Sequence, residues 1–167
     1  IYGPRTEPAS ESIDTDASTA YEASKLARER YAEYYASMHD LSMAGLRFFS
    51  VYQGVGGREA HKGEYANTVT QFADAIATGK RPTLFGDGTQ TRDFTHVDDV
   101  VRACELAAVH DLDGVFNVGT GKTHSFNETV ALINDALGTD IDPEYVECPF
   151  EGYIEHTCAD ASKLRER

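Results

Sequence analysis

The pattern of apolar and polar positions divides the chain into alternating helices and strands. Residues 20–39 predict a long helix, because apolar and aromatic side chains interleave with charged ones and no glycine or proline interrupts them. Ser18 or Thr19 is the expected N-cap. Residues 44–52 are short, aromatic and partly alternating, which predicts a strand. The other predicted elements are helices over 65–78, after Asp98 and Asp99, and over 126–137, strands over 83–85, 95–97 and 115–118, and an extended segment over 143–146.

This alternation predicts an α/β protein with at least some parallel strand pairing. A complete doubly wound nucleotide-binding domain opens with a strand, a glycine-rich turn and a helix. The chain has no GxGxxG or GxxGxxG opening, and its first residues resemble the end of a strand that began earlier. We therefore expect only the later part of such a domain.

The charge balance narrows the range of partners. The 167 residues include 15 Lys and Arg against 28 Asp and Glu, a net charge of −13, which argues against nucleic acid. No apolar run approaches the roughly 20 residues of a membrane span, and no signal-peptide pattern opens the chain. We expect a soluble, cytoplasmic protein. Only five of the cationic residues are lysines. An acidic surface with few lysines is typical of a protein from a high-salt cytoplasm, and the alternative is an ordinary acidic protein.

The sequence contains no recognisable metal or phosphate-loop motif. Its three cysteines, Cys104, Cys148 and Cys158, form no CxxC pair, and its six histidines show no ligand spacing. The loop at residues 119–123 follows a predicted strand, but a Walker loop would need a glycine where Phe116 stands. We expect free thiols, no metal site and no phosphate loop.

A YxxxK pattern, Tyr21 to Lys25, lies at the start of the first predicted helix. Residues four apart share a helix face, so the phenol and the ammonium project together. A nearby cation favours phenolate, and such a group can exchange a proton with a hydroxyl near neutral pH. By itself the pattern is more often an exposed surface pair than a catalytic one.

Further motifs occur in order along almost the whole chain. They are residues 1–3, Glu11, Tyr21 to Lys25, Leu46 to Tyr52, Phe85 to Gly88, Thr91 to Phe94, Val97 to Val100, and Phe116 to Gly121. The series resembles the extended short-chain dehydrogenase/reductase family, in its branch of NAD-dependent nucleotide-sugar epimerases and dehydratases. The resemblance implies the later part of a Rossmann-like doubly wound domain over residues 1–60. It also implies a small α/β substrate-binding domain over 61–167, with a returning Rossmann strand and helix.

The resemblance also implies roles for residues around the YxxxK helix. Tyr21 would be the proton shuttle, and Lys25 would hold the cofactor ribose and tune the phenol. Phe49, Ser50 and Val51 would join them in binding NAD. Ser50 would also contact the substrate, in a place where relatives usually carry an asparagine.

A second group of residues is implied to bind the nucleotide sugar. Arg92 would hold its diphosphate, although without the resemblance a salt bridge to a nearby aspartate is the simpler interpretation. The segment from Arg58 to Gly63, with Tyr153, is similar to the heptose-epimerase group, in which a lysine at the position of Lys62 is catalytic. A solvent-exposed loop lysine is the equal alternative. The implied substrate-binding residues are Ser50, Glu64, Asn67, Leu84, Phe85, Arg92 and Tyr153.

These implications favour an epimerase of the UDP-glucose 4-epimerase type, acting by transient oxidation to a keto sugar and re-reduction. A heptose-epimerase-like or dehydratase substrate is the alternative enzyme. Because the glycine-rich cofactor turn is missing, we expect the chain alone to be inactive. A different hypothesis is a truncated, non-catalytic module that associates with itself, as a homodimer or another oligomer.

Overall fold

The first helix is anchored at its start by a capping box. The computed structural model describes residues 1–54 and 58–167, apart from the side chains of Ala60 and Glu64. Helix α1 (Ala20–His39) begins after Thr19, whose hydroxyl accepts from the Glu22 amide at 3.2 Å, while Glu22 accepts from the Thr19 amide at 3.0 Å. The helix ends at Asp40, which takes the left-handed conformation with φ 52°. The predicted bounds of 20–39 are confirmed.

The Glu22 carboxylate makes this cap dependent on pH. Hydrogen bonds from the Ser18 hydroxyl, with those from Thr19 and the Ser18 amide, lower the pKa of the buried Glu22 to about 2 from 4.5. A depressed folded-state pKa stabilises the fold above the unfolded value, and this stabilisation is lost as the pH falls from 4.5 toward 2. We expect Glu22→Gln to be less stable than the parent at pH 6 and the gap to shrink at pH 2.5. Urea unfolding at the two pH values measures the gap, and an equal gap at both would contradict the prediction.

The remaining elements follow in the alternating order that the sequence predicts. They are β1 (Ala44–Phe48), β2 (Val51–Tyr52), a 3₁₀ helix (Ala60–Tyr65), α2 (Thr68–Ala77), β3 (Thr83–Phe85), β4 (Thr91–Arg92), β5 (Thr95–His96), α3 (Val97–Val109), β6 (Gly114–Val118), β7 (His124–Ser125), α4 (Phe126–Leu137), β8 (Glu144–Val146), β9 (His156–Thr157) and α5 (Ser162–Arg165). None of the helices in the described ranges is long and apolar enough to cross a membrane.

Most strand pairs are parallel. Strand β1 pairs with β6 from Ala44↔Gly114 to Phe48↔Val118, β2 pairs with β5, and β3 pairs with β8, all in parallel. Strand β4 lies between β9, in parallel, and β7, which is antiparallel. Parallel pairs joined through helices are the mark of an α/β protein. The predicted fold class is therefore confirmed.

The single strand predicted over 44–52 is in fact two strands. Ser50 breaks it, because its φ of 30° is far from extended backbone. The chain thereby leaves β6, to which the Phe49 amide still donates, and joins β5, where the Thr95 amide donates to the Ser50 carbonyl. This break places Ser50 at the carboxyl end of β1, the end of a parallel strand where ligands bind in open α/β sheets.

The buried apolar side chains form clusters that leave out the first helix. The largest unites α2, β3 and α4 through Phe72, Ile76, Leu84, Phe126 and Val130. Another packs α3 against β6, with Leu46 and Val51 beside it. Among the described residues, no side chain of α1 belongs to these clusters.

Candidate active site

A cavity of about 630 Å³ lies between α1, β1 and the segment at residues 154–158. Its lining brings together four of the predicted site residues, Tyr21, Lys25, Phe49 and Ser50. Val51 is not part of this lining, because the turn at Ser50 sends its side chain toward the α3 cluster. The cavity therefore unites both residues of the YxxxK pattern with the carboxyl end of β1.

The two YxxxK side chains touch each other. The Lys25 ammonium lies 4.8 Å from the centre of the Tyr21 ring, over its face. The Tyr21 side chain is 68% exposed, so its hydroxyl is open to a ligand. No ion pair of Lys25 occurs within the described ranges. The cation thus stays available to the phenol and to anything bound in the cavity.

Arg92 presents a positive charge that forms no salt bridge with the described residues. Its guanidinium donates to three backbone carbonyls, those of Thr91 at 2.8 Å, Ile154 at 2.6 Å and Glu155 at 3.2 Å. No carboxylate oxygen within the described part of the chain forms a salt bridge with it. Burial lowers the pKa of Arg92 from its usual value, which is the cost of removing a cation from water. An anionic ligand would relieve that cost.

Aromatic rings surround the Arg92 guanidinium. Its centre lies 5.4 Å from the ring centre of Tyr153 and the same distance from that of Phe126. Phe85 meets Tyr153 edge to face at 5.7 Å. Burial raises the pKa of Tyr153 even though Arg92 opposes that change, so the phenol is neutral at ordinary pH. Arg92, Phe85 and Tyr153 therefore form one cationic, aromatic group.

The other predicted substrate residues lie in different surroundings. Leu84 is completely buried in the core, so its side chain faces no ligand. The Asn67 side chain accepts from the Val69 amide at 2.9 Å and caps α2, which explains why that helix starts three residues later than predicted. Glu64 lies in the 3₁₀ helix, and its side chain lies outside the described part of the structure.

Lys62 is held rather than free. Its ammonium binds the carboxylate of Glu59 at 2.7 Å, and Glu59 also accepts from the Thr70 hydroxyl at 2.7 Å. Glu59 is buried, while the Lys62 side chain is 46% exposed. Lys62 is thus solvent-exposed, as the loop-lysine alternative expects, while its ammonium is paired with Glu59. Neither Lys62 nor Arg92 lines the cavity at Tyr21.

One segment connects the two groups of residues. Ile154, which accepts from Arg92, lines the cavity at Tyr21, and so does His156. The His156 ring in turn contacts the Thr91 hydroxyl beside Arg92. Sequence reasoning missed His156, and also Glu29 and Arg47 in the cavity wall. Glu29 could have been found from its spacing, since it lies four residues after Lys25 on the same helix face.

The amides of the glycine-containing loop after β6 donate hydrogen bonds to a carboxylate. The amides of Thr120 and Gly121 donate to Asp93 at 2.8 and 2.9 Å, and Asp93 is completely buried. These are the donors that a phosphate loop would offer to its ligand. Their use by Asp93 agrees with the rejection of a phosphate loop from the sequence. Within the described ranges, no three metal-ligating side chains come together.

The sequence of the chain is similar to those of known proteins. The family model "NAD dependent epimerase/dehydratase family" matches residues 1–119. The chain is 34% identical to a putative UDP-glucose 4-epimerase of Methanocaldococcus jannaschii, over 98% of this chain and 52% of the relative. It is 36% identical to an ADP-L-glycero-D-manno-heptose-6-epimerase of Alkalilimnicola ehrlichii, over 87% of this chain and 47% of the relative. The chain thus spans about half the length of these relatives.

Solved structures match the fold over nearly the whole chain. A UDP-N-acetylglucosamine 4-epimerase from Methanobrevibacter ruminantium, in complex with UDP-N-acetylmuramic acid, superposes with a TM-score of 0.89 at 35% identity. The match covers 99% of this chain and 52% of that one. The Thermus thermophilus UDP-glucose 4-epimerase complex with NAD gives a TM-score of 0.84 at 32% identity, over 99% of this chain and 54% of that one. Because the family model covers well over half of its residues, the chain belongs to the NAD-dependent epimerase/dehydratase family.

Proposed function

We propose that the complete protein is an NAD-dependent nucleotide-sugar epimerase of the UDP-glucose 4-epimerase type. The observation that carries this proposal is the cavity in which Tyr21 and Lys25 lie together beside the end of β1. Both a relative and a solved structure that match the chain carry this activity in their names. In this proposal residues 1–60 belong to the cofactor-binding domain and residues 61–167 mainly to the substrate-binding domain.

Tyr21 would act as the acid and base of the reaction. As the phenolate, its exposed oxygen can take the proton of a sugar hydroxyl, and as the resulting phenol it can return that proton to the keto oxygen, so that one group serves both directions. The Lys25 ammonium, 4.8 Å from the centre of the Tyr21 ring, would offset the negative charge that the oxygen carries before it takes the proton.

The residues at this end of the cavity fit the nicotinamide ribose of NAD. Lys25 has an ammonium free of carboxylate partners in the described part of the chain, and such a group can donate to ribose hydroxyls. Phe49 and Ser50 border the same space. When bound, NAD supplies the reversible oxidation of the sugar carbon. Binding of the cofactor by this chain alone is expected to be weak, and the chain alone is expected not to turn over.

Arg92 would hold the diphosphate of the nucleotide sugar. It keeps donors unused by the three carbonyls and has no acidic partner in the described ranges. A guanidinium forms short, charge-assisted bonds to phosphate oxygens. The rings of Phe85 and Tyr153 next to it offer an apolar surface to the rest of the nucleotide.

A heptose-epimerase-like reaction is the second candidate. It is favoured by the 36% identity to the heptose epimerase relative and by the fixed position of Lys62 against Glu59. A lysine held in place is better suited to contact a sugar than one that moves freely. Activity assays with UDP-glucose and with an ADP-heptose would distinguish the two substrates in the complete protein.

We also propose a compartment and an oligomeric state for the complete protein. The three cysteines are free, which suits a reducing cytoplasm. The net charge of −13 with few lysines suits a high-salt interior. Exposed Tyr31, Tyr34, Tyr35 and Met38 on α1 form an apolar surface that supports self-association, as a homodimer or a larger oligomer.

Calorimetry on this chain in high salt tests the role of Arg92. We expect UDP-glucose to bind and Arg92→Gln to weaken its affinity by about ten- to a hundredfold, because a charge-assisted contact is lost. Arg81→Gln is the matched control, since Arg81 also donates to backbone carbonyls but lies away from the aromatic group. Equal affinities of the parent and Arg92→Gln would refute the proposed diphosphate site.

A further inference from the structure

Helix α1 carries both YxxxK residues, yet none of its apolar side chains is fully buried. Its aromatic and sulfur-containing side chains Tyr31, Tyr34, Tyr35 and Met38 are exposed, and its only buried residue is Glu22, which caps the helix itself. In the described part of the chain, none of its side chains joins a buried apolar cluster. Since only half-buried apolar side chains such as Leu26, Ala32 and Ala36 remain to face the core, the position of the helix relative to the sheet depends in part on polar contacts.

One ion pair supplies such a contact. Arg47 of β1 binds Glu29 of α1 through two parallel bonds, Nε to Oε1 at 2.8 Å and Nη2 to Oε2 at 2.7 Å. The two side chains are only 10% and 17% exposed. Between α1 and the sheet, this is the one side-chain hydrogen bond or ion pair that the described residues make. A two-point fork fixes both distance and angle, which a single bond does not.

The sheet end of this pair is itself fixed. Arg47 also donates to the Tyr2 hydroxyl at 2.8 Å and lies over the Tyr2 ring, 5.0 Å from its centre. The Tyr2 hydroxyl donates at 2.6 Å to Asn117, which is completely buried on β6. Asn117 is the neighbour of Arg47 in the β1–β6 register. The guanidinium is therefore held from several sides, and its hydrogen bonds with Glu29 raise the pKa of Arg47.

The helix end of the pair shares a face with the YxxxK residues. Tyr21, Lys25 and Glu29 are spaced by four, so they follow one another along one side of α1. All three line the cavity at the end of β1, and so does Arg47. A rotation or slide of the helix would thus move Tyr21 and Lys25 together with Glu29.

We propose that Glu29 and Arg47 are positioning residues that set the place of Tyr21 and Lys25 over the end of β1. The purpose of this positioning rests on the proposed function, but the experiment that tests it does not. Since a buried pair adds little net stability over apolar packing, its value here is the geometry that it specifies. Neither residue touches the reacting atoms in this proposal.

The test measures the distance between α1 and the core in the 167-residue chain. Spin labels are placed at Tyr31→Cys on α1 and Leu132→Cys on α4, two exposed positions, and read by pulsed electron paramagnetic resonance. Cys104→Ser and Cys148→Ser remove the other accessible thiols, while Cys158 is buried. The distance distribution of the folded molecules is a readout that a loss of stability alone does not move.

Glu29→Gln and Arg47→Lys are the test variants, and Glu33→Gln is the control. Glu33 pairs with Arg30 within α1 at 2.9 Å and does not contact the sheet. We expect the first two to broaden or shift the distance distribution and to speed amide exchange in α1 by about tenfold or more, with β1 and β6 unchanged. Arg47→Lys keeps the positive charge and loses only the two parallel hydrogen bonds to Glu29. It therefore still tests the proposal if Glu29→Gln does not fold.

Two results would overturn the proposal. One is a distance distribution that both test variants leave as narrow as in the parent. The other is a Glu33→Gln variant that broadens it as much as they do, since any loss of charge on α1 would then suffice. Because neither measurement uses substrate or cofactor, the result does not depend on whether the proposed epimerase activity is correct.

Discussion

Replacing Tyr21 by phenylalanine is expected to lower kcat of the complete enzyme by about a hundred- to ten-thousandfold, the usual contribution of a general acid and base. Tyr21 lines the cavity, and the Lys25 ammonium lies 4.8 Å from the centre of its ring. Phenylalanine keeps the ring and its contact with Lys25 but removes the exchangeable proton. KM should change little, because the hydroxyl contributes mainly in the transition state.

A second tyrosine of the same helix provides the control. Tyr31 is 69% exposed, almost the same fraction as Tyr21 at 68%, and it does not line the cavity. We expect Tyr31→Phe to retain the parent kcat. Steady-state kinetics of both variants in a protein that includes the cofactor-binding half make the comparison. A Tyr21→Phe variant with near-parent kcat would remove Tyr21 from the proposed chemistry and leave the anion site of Arg92 unaffected.

Local signals predicted the helices well. The bounds of α1 and α4 agree with the prediction to the residue, because each begins with a capping box written in the sequence, Thr19 with Glu22 and Ser125 with Glu128. Helix α4 ends at Gly138, in the left-handed conformation. Such start and stop signals depend only on neighbours in sequence, and tertiary contacts did not override them.

Elements that depend on distant partners were missed. Strands β4, β7 and β9 have two residues each, too few to show an alternating pattern, and they exist because β4 finds a partner on either side. The break at Ser50 is another case, since it arises from the exchange of β6 for β5 as a partner. Residue spacing predicted a strand there but carried no information about which strand it would join.

At the candidate site, too, the local features were predicted from the sequence and the contacts between distant residues were not. The joint projection of Tyr21 and Lys25 follows from helix spacing, and the structure places both in one cavity. The binding of Arg47 to Glu29 joins residues 18 apart in sequence, and that of Tyr2 to Asn117 joins residues 115 apart. No local pattern predicts such pairs. The proposed roles in catalysis came from motifs, and the means of holding those groups in place came only from the structure.

The lack of a salt bridge at Arg92 is a stronger indication of an anion site on this acidic protein than it would be on a neutral one. With a net charge of −13, carboxylates are abundant, yet none in the described part of the chain pairs with this guanidinium. A cation that stays unpaired among so many acids, and is half-buried between rings, is suited to an anion that arrives from solution. High salt would weaken the repulsion between such an anion and the acidic surface.

Replacing Asp93 by asparagine is expected to destabilise this chain by about 3 to 5 kcal/mol, which lowers the melting temperature by roughly 10 °C. One carboxylate oxygen accepts from the amide and hydroxyl of Thr120 at 2.8 and 2.6 Å. The other accepts from the amides of Gly121 and Ala159 at 2.9 and 3.0 Å. An asparagine amino group turned toward Gly121 and Ala159 would leave two amides without their acceptor. Turned toward Thr120 it would leave the Thr120 amide without one.

An exposed aspartate with a similar local role serves as the control. Asp87 accepts from the amide and the hydroxyl of Thr89, but both residues lie at the surface, so Asp87→Asn should lower the melting temperature far less than Asp93→Asn. Calorimetric melting of both variants makes the comparison. Gly119 lies against Asp93, and a Cβ there would come within 2.9 Å of its carboxylate and 2.5 Å of Ala159, which leaves no room to compensate. If Asp93→Asn melted within a degree or two of Asp87→Asn, the Asp93 carboxylate would not be the group that joins β4, the loop after β6 and the segment before α5. The position of Arg92, next to Asp93 in the chain, would then need another explanation.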